Sequence, residues 1–204
     1  MGGRAQLPDY AFESKLSMRE ALFIAGVDEV GMGCLAGPVV AAAVILDKDR
    51  IPKGIDDSKR LSSRRREELS VAIRESAIGF ALGIAEVDEI DSINILQAGR
   101  LAMLRAVKQI RPAPQSLLID GRVKLDVSVP QQSIIKGDQI SVSIAAASIL
   151  AKVHRDQLMT DLDGIYPGYG FAENKGYGSV SHRRFLGSNG ATPIHRKSFS
   201  WTPV

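Results

Sequence analysis

The sequence predicts an α/β fold, with a central mixed β-sheet flanked by helices and a helical, loop-rich C-terminal extension. Short apolar runs bounded by glycine or other turn residues indicate buried strands, and longer stretches with apolar residues at helical spacing lie between them. The composition, 45% hydrophobic and 24% charged, is typical of a globular protein. Because the 204 residues contain no repeat or low-complexity segment, we expect one domain over 1–204, with a core at about 22–160 and a C-terminal segment at about 161–204.

The chain is expected to begin its sheet with a pair of antiparallel strands. Residues 23–30 (FIAGVDEV) and 38–46 (PVVAAAVIL) are both apolar. The glycine-rich turn at 31–37 between them is short, and a short connection favours antiparallel pairing.

A helix and a third strand follow. Ser62 or Ser63 is a suitable N-cap for a helix with Leu69, Ala72, Ile73 and Ala77 at helical spacing. Residues 78–87 (IGFALGIAEV) are again short and apolar, which predicts the third strand.

The second half of the chain predicts two long helices and two further strands. Apolar residues recur at helical spacing over 93–110, and Pro112 and Pro114 end that helix. The other predicted elements are strands at 117–120 (LLID) and 132–136, a buried helix at 142–159 and a short helix near 181–186. The order of elements, βββαβ and then βα with an early helix inserted, is that of a mixed sheet with helices on its faces.

The C-terminal quarter of the chain is basic. The whole sequence has a formal net charge of only +3, but from Lys152 onward there are 7 basic and 4 acidic residues. Aromatic residues among them include Tyr166, Tyr169, Phe171, Tyr177 and Phe185. Basic and aromatic residues together suit a nucleic-acid surface, but an ordinary solvated surface has the same composition, and charge alone favours that second interpretation.

Several features suggest a soluble protein of the cytoplasm. The single cysteine, Cys34, has no partner, which fits a reducing compartment. The first ten residues have no apolar core, so we expect no secretory signal. The longest apolar stretch, 35–46, is too short to span a membrane, and we expect no membrane partner.

Acidic side chains follow three of the predicted strands. Asp28 and Glu29 end the first, Asp120 ends another, Asp138 follows a third, and Asp156 lies on the buried helix. Carboxylates are rarely buried unless they are paired or bind a metal. Oxygen ligands without Cys or His suit Mg²⁺ or Mn²⁺, and such sites commonly perform two-metal phosphoryl chemistry. The alternative is that each acid is an independent turn residue.

Other reaction types have little support in the sequence. There is no GxSxG motif, no Cys/His pairing and no phosphate-binding GxxxxGK[ST] loop. Paired carboxylates could also serve a glycosidase, but nothing else in the chain indicates sugar binding.

Several motifs in their order resemble bacterial ribonuclease HII. They are AGVDEVGMGCLAGPVVAAAVIL (25–46), DDSKRLS (56–62), INILQA (93–98), IDG (119–121), KGD (136–138), SIAAASILAKVHRD (143–156), YPGYGFAENKGYGS (166–179) and TPIHRKSF (192–199). The resemblance covers nearly the whole chain, from about residue 23 to residue 199.

The resemblance implies a single ribonuclease H-like catalytic domain whose C-terminal segment binds substrate. Its expected activity is endonucleolytic cleavage of the RNA strand of RNA–DNA hybrids and incision at ribonucleotides embedded in duplex DNA, leaving 5′-phosphate and 3′-hydroxyl ends. Two Mn²⁺ or Mg²⁺ ions are the expected cofactors, and a monomer is the expected state. Two alternatives stay open: a catalytically weak hybrid-binding protein, and another nuclease of this fold that acts on branched DNA.

The resemblance also implies roles for individual residues. The catalytic and metal-binding residues are Asp28, Glu29, Asp120 and Asp138, and the substrate-binding residues are Gly31, Met32, Gly33, Ser58, Lys59 and Tyr177. In the family the turn after the first acids usually reads Gly-Arg-Gly, sometimes with Lys, and its backbone contacts the ribose 2′-hydroxyl. Here Met32 replaces the arginine, so a contact from guanidinium to phosphate is missing.

Further basic residues are candidates for phosphate contacts. Arg64, Arg65 and Arg66 lie close to Lys59 and Arg60, and Lys136, Lys175, Arg183 and Arg196 are weaker candidates. Asp156 is interpreted as structural, in a pair with Arg155 or Lys152.

Overall fold

The computed structural model describes residues 7–18 and 21–202 and contains a mixed five-stranded sheet. The strands are β1 (Ile24–Val30), β2 (Val39–Ile45), β3 (Gly79–Ala85), β4 (Ser116–Asp120) and β5 (Gln131–Ile134). They lie in the order β3-β2-β1-β4-β5, with β1–β2 and β2–β3 antiparallel and β1–β4 and β4–β5 parallel. The five predicted strands and the antiparallel first pair are confirmed.

Helices cover both faces of this sheet. They are α1 (Ala11–Ser17), α2 (Ser63–Ser76), α3 (Val87–Ile93), α4 (Ile95–Gln109), α5 (Val142–Ile165), α6 (Phe171–Asn174) and α7 (Val180–Asn189). The apolar side of α4 packs on one face of the sheet, and α5, together with α2, packs on the other. Strand β2 is buried along its whole length because both of its faces are covered.

Helix α5 approaches the sheet closely at Gly26. A Cβ atom at this position of β1 would overlap the backbone of Ser143, so only glycine allows the contact. This close approach fixes the first turns of α5 against β1, the strand that contains Asp28 and Glu29 near its end.

The helix expected at 93–110 is confirmed as α4, which begins at Ile95 because Asn94 adopts a φ of 69° and its side chain caps the helix by accepting from the amides of Leu96 and Gln97. Other helical regions differ from the prediction, since α3 and α6 were not predicted. Helix α5 continues to Ile165, six residues beyond its expected end at residue 159. Helix α1 was not predicted, since its seven residues are too few for a clear periodic signal.

The aromatic residues of the C-terminal quarter mostly form a core. Tyr169 and Phe171 are buried and pack with Leu186 and Met159, and Tyr166 and Phe185 are partly buried against them. Tyr169 and Phe171 are therefore not part of an exposed surface, whereas Tyr177 is 45% exposed.

Two expectations concern the membrane and the N-terminus. Over residues 7–18 and 21–202, the structure contains no helix long and apolar enough to cross a membrane. The predicted absence of a secretory signal concerns the first ten residues, of which 1–6 lie outside the described residues.

Candidate active site

Two parallel strands bring acidic residues to one edge of the sheet. Val27 of β1 is aligned with Ile119 of β4, so the next residues, Asp28 and Asp120, are neighbours. Asp28, Glu29 and Asp120 line one cleft. Carboxyl ends of adjacent parallel strands form a common place for ligand binding in α/β sheets.

The fourth acid comes from a different segment. Asp138 lies in a one-turn 3-10 helix, Gly137–Gln139, that follows β5. The Gly137 amide donates to Asp120 Oδ1 at 2.6 Å, which ties this turn to the end of β4. The negative charges of Asp120 and Asp57 both act on Asp138, so this acid belongs to the same electrostatic cluster.

Burial and mutual repulsion disfavour the charged forms of these acids. Burial raises the pKa of Asp28 well above its ordinary value, and the charges of Glu29 and Asp120 add to the effect. The pKa of Glu29 is raised to about 7, first by burial and then by Asp120. Burial, and then its acidic neighbours, also raise the pKa of Asp138. A cation would offset this repulsion.

The residues present fit a hard divalent cation. Among the described residues, Glu29 Oε2 is buried and has no hydrogen-bond partner, which leaves an acceptor oxygen free inside the cleft. The acids supply only oxygen ligands, and neither His nor Cys lines the cleft. Over 7–18 and 21–202, however, no three His, Cys, Asp or Glu side chains form a complete ligand set as they stand.

Ser58 and Lys59 lie on the same cleft as the acids. Ser58 is buried, and its Oγ lies 3.0 Å from Ser148 Oγ. Lys59 is different: its side chain is 82% exposed, with Nζ 3.7 Å from Asp138 Oδ2. It is thus a cation placed at the mouth of an acidic site, where a phosphate could reach it.

Two residues were missed by the sequence reasoning: Asp57, which supports the Lys59 loop, and Ser148, which lines the cleft. Asp57 is buried, accepts from the Lys59 amide at 2.9 Å and from Gln139 Nε2 at 3.1 Å, and so connects the Lys59 loop to the turn of Asp138. Ser148 lines the cleft, and its hydroxyl lowers the pKa of Asp28, against the larger effect of burial. A serine within an otherwise apolar helix face was the available signal for Ser148.

The Gly31-Met32-Gly33 turn forms another wall of the cleft. Gly31 is buried and has a φ of +96°, whereas a Cβ at Gly33 would meet no atom within 4 Å. Met32 is half-buried, and its thioether packs over Gly99 of α4, beside the Glu29 side chain. Tyr177 also lines the cleft, and burial raises the pKa of its hydroxyl, as does the neighbouring Cys34 thiol.

The predicted pairing of Asp156 is confirmed for Lys152 and wrong for Arg155. Lys152 Nζ lies 2.7 Å from Asp156 Oδ1, and Arg66 Nη2 lies 3.9 Å from Oδ2. Arg155 is fully buried and donates instead to backbone carbonyls.

Several basic candidates for phosphate contacts are occupied within the protein. The prediction that Arg196 contacts phosphate is wrong, because this residue is only 3% exposed. Its guanidinium donates to the carbonyls of Gly31, Met32 and Gly37. Lys175 Nζ donates to Thr160, outside the acidic cleft. The arginines at 64–66 also have internal partners: Glu68 for the first two, and the carbonyls of residues 58 and 61 for the third.

The chain is similar to characterised families in both sequence and structure. The profile described as "Ribonuclease HII" matches residues 25–202. Ribonuclease HII of Desulfitobacterium hafniense (strain DSM 10664 / DCB-2) is 53% identical over 188 residues, which cover 92% of this chain and 72% of that protein. Ribonuclease HII of Anaeromyxobacter sp. (strain Fw109-5) is 52% identical over 92% of this chain, but the match spans only 60% of that protein's length.

Solved structures share this fold. The ribonuclease H2 from Pyrococcus horikoshii OT3 superposes with a TM-score of 0.73 at 26% identity, over 87% of this chain and 94% of that one. Bst-RNase HIII in complex with Mn²⁺ has a TM-score of 0.65 at 25% identity, over 83% of this chain and 63% of that one. The predicted mixed sheet with flanking helices is therefore confirmed as that of ribonucleases H2 and HIII. With its profile match over most of its length and relatives at more than half identity, the chain belongs to the ribonuclease HII family.

Proposed function

We propose that the protein is a divalent-metal-dependent endoribonuclease that cleaves the RNA strand of RNA–DNA hybrids and incises duplex DNA at embedded ribonucleotides. The observation that carries the proposal is the acidic cleft, in which buried carboxylates meet at one sheet edge and the oxygen Glu29 Oε2 has no partner among the described residues. Membership of the ribonuclease HII family supports the substrate class.

Asp28, Glu29, Asp120 and Asp138 are the residues proposed to hold two Mg²⁺ or Mn²⁺ ions. Divalent ions there would supply positive charge against phosphate oxygens and lower the pKa of an attacking water. The Mn²⁺ complex of Bst-RNase HIII, which shares the fold, is consistent with this choice of metal. Attack at phosphorus with loss of the 3′-oxygen would leave a 5′-phosphate and a 3′-hydroxyl end.

The other walls of the cleft are proposed to bind the substrate. The backbone of Gly31, Met32 and Gly33 would contact the ribose 2′-hydroxyl, which is the group that distinguishes RNA from DNA. Ser58 and Lys59 would contact phosphate, and the exposed ring of Tyr177 would stack on a sugar at the junction between RNA and DNA. We further propose that the protein acts as a monomer in the cytoplasm.

The decisive experiment maps cleavage sites on a DNA duplex with one embedded ribonucleotide. The proposal predicts one incision at the ribonucleotide, a 3′-hydroxyl end, and no product when EDTA removes divalent ions. The same duplex without the ribonucleotide and a branched all-DNA substrate are the controls. Cleavage of the branched DNA without need of a ribonucleotide, or binding without cleavage, would contradict the proposal.

Tyr177→Ala is expected to weaken incision at a single embedded ribonucleotide more than cleavage of a long hybrid. Base stacking contributes about 1–3 kcal/mol, and a sugar stack at the low end of that range corresponds to about a fivefold loss in kcat/KM. A long hybrid offers many registers, which can mask the loss. Tyr177→Phe keeps the ring and serves as the control. Equal losses on both substrates would remove the proposed role at the junction.

In the metal-free protein, Glu29 is expected to lower thermal stability as pH rises from about 5 to 8, relative to a variant without this acid. The folded-state pKa of Glu29, about 7, lies above its ordinary value of 4.5, so this carboxyl holds a proton in the folded protein that it loses in the unfolded chain, and its contribution to stability falls as that proton dissociates. His195 contributes a slope of the opposite sign below about pH 6.5, because burial, and then His182, lower its pKa to about 4, so the effect of Glu29 is measured as a difference between variants. Tm in EDTA at the two pH values measures the slope. Mg²⁺ or Mn²⁺ is expected to raise Tm more at the higher pH.

Two variants test the origin of that slope. Glu29→Gln should remove this contribution, so its Tm should fall less, or rise more, between the two pH values than that of the wild-type protein, and Glu75→Gln, a change at an exposed residue of α2, should behave as the wild-type protein does. The same change of Tm with pH in Glu29→Gln and in the wild-type protein would contradict the assignment.

A further inference from the structure

Two buried arginines lie behind the cleft without a carboxylate partner. Arg155 is 0% exposed and Arg196 is 3% exposed. Neither takes part in the ion pairs formed by residues 7–18 and 21–202. Burial of a charge is costly unless hydrogen bonds compensate for it. The hydrogen-bond partners of these two guanidinium groups therefore indicate which part of the structure the arginines hold in place.

Arg196 binds the carbonyl side of the turn that forms the cleft wall. Its Nη2 donates to the carbonyls of Gly31 at 2.7 Å and Gly37 at 2.8 Å, and its Nη1 donates to that of Met32 at 3.2 Å. The planar, forked guanidinium can reach several carbonyls at once, which a lysine ammonium on a flexible stem cannot do in the same fixed geometry.

Arg155 holds the other end of the same loop. Its Nε donates to the Pro38 carbonyl at 2.9 Å, its Nη2 to that of Ala36 at 3.1 Å, and its Nη1 to that of Lys175 at 2.8 Å. A Cβ at Gly31 would overlap Arg155 Nε, so glycine at that position leaves room for the guanidinium. Together, the two arginines bind five carbonyl groups between residues 31 and 38.

These bonds determine where the adjacent amides point. The Gly31 carbonyl and the Met32 N–H belong to one peptide unit, and the Met32 carbonyl and the Gly33 N–H belong to the next. In a trans peptide the C=O and N–H point in opposite directions, so each carbonyl held by Arg196 turns an N–H away from it. Within the described chain, neither amide donates to a protein acceptor, and both residues line the acidic cleft.

We propose that Arg196 and Arg155 are positioning residues that present the Met32 and Gly33 amides to an acceptor oxygen of the substrate, the ribose 2′-hydroxyl. The inference rests on the proposed function. The guanidinium charge at the carbonyl end of each peptide also polarises it and strengthens the N–H as a donor. The two arginines thereby govern selection of RNA over DNA without touching the nucleic acid.

The test measures selection separately from catalysis in Arg196→Lys. KM and kcat are measured on a duplex with one ribonucleotide, and the all-DNA duplex of the same sequence is titrated as a competitive inhibitor to obtain its KI. Loss of one oriented hydrogen bond should raise KM about tenfold, while KI for the all-DNA duplex changes less than twofold. Arg105→Lys is the matched control, because Arg105 pairs with Glu89 and donates to the Ile84 carbonyl, outside the cleft.

Each other outcome overturns the inference. A parallel rise of KM and KI would mean that the arginine contributes general affinity for nucleic acid. A lower kcat with unchanged KM and KI would mean a loss of folded protein only. If Arg196→Lys does not fold, Arg155→Lys is measured in the same way with the same expected pattern. A wild-type protein that does not cut the ribonucleotide-containing strand overturns the proposed function itself, and this is seen before any variant is made.

Discussion

Asp120→Asn is expected to abolish cleavage, by on the order of 10²–10³-fold or more, while hybrid binding persists. Asp120 ends β4 beside Asp28, in a cleft where burial and mutual repulsion raise the pKa of Asp28 and Glu29. Asn preserves the shape and an acceptor oxygen for the Gly137 amide, but it removes the charge proposed to hold a metal ion. Single-turnover cleavage with Mg²⁺ or Mn²⁺, together with fluorescence anisotropy on a labelled hybrid, measures the two properties separately.

Asp156→Asn is the matched control for this change. Asp156 pairs with Lys152 at 2.7 Å and does not line the acidic cleft, so its loss should lower Tm and leave measurable activity. If Asp156→Asn were as damaging as Asp120→Asn, the proposed set of metal ligands would be wrong. Metal-dependent cleavage at the wild-type rate by Asp120→Asn would have the same consequence.

Met32→Arg is expected to increase incision at a single ribonucleotide by roughly one to two decades. A charge-assisted contact to phosphate contributes about 1.5–3 kcal/mol, which the native methionine cannot supply. Met32 already lies on the cleft wall over Gly99, so the stem of an arginine could follow the same path. The gain should shrink at high salt, as contacts to phosphate do. Kinetics at two salt concentrations measure both effects.

A neutral replacement distinguishes charge from packing in this test. Met32→Leu should preserve the apolar contact with Gly99 and give no gain. The competing explanation is that Lys59, which lies at the mouth of the same cleft, already serves that phosphate. Lys175, the other cation considered for that role, is bonded to Thr160 outside the cleft. No gain in Met32→Arg at either salt concentration would mean that the missing guanidinium is irrelevant here.

The strands and the meeting of the acids could be predicted because their signals are local. Each strand is a short apolar run, and the acids follow directly at strand ends, so the parallel pairing of β1 and β4 is enough to bring Asp28 beside Asp120. Helix α3 could not be predicted in the same way. It has seven residues, only Ile90 of them is buried, and its start depends on a capping box between Glu86 and Glu89.

The buried arginines could not be recognised from sequence because their environment is assembled from distant segments. Arginine is almost never fully buried, so exposure was the expectation for Arg196, and a phosphate contact followed from it. The carbonyls that it binds lie about 160 residues earlier in the chain. No spacing or periodicity near Arg196 carries information about them.

The position of Arg196 in the chain has a consequence for synthesis. A protein emerges from the ribosome with its N-terminal part first. All five strands and the four proposed metal-binding acids precede Arg196, so a nascent chain can contain the complete sheet before this arginine is made. Until then, the turn at residues 31–33 lacks the group that holds its carbonyls. An incomplete chain would thus contain the proposed metal-binding acids before the residue proposed to support recognition of the ribose. A chain that ends before residue 196 should therefore discriminate poorly between ribose and deoxyribose, and not only cleave slowly.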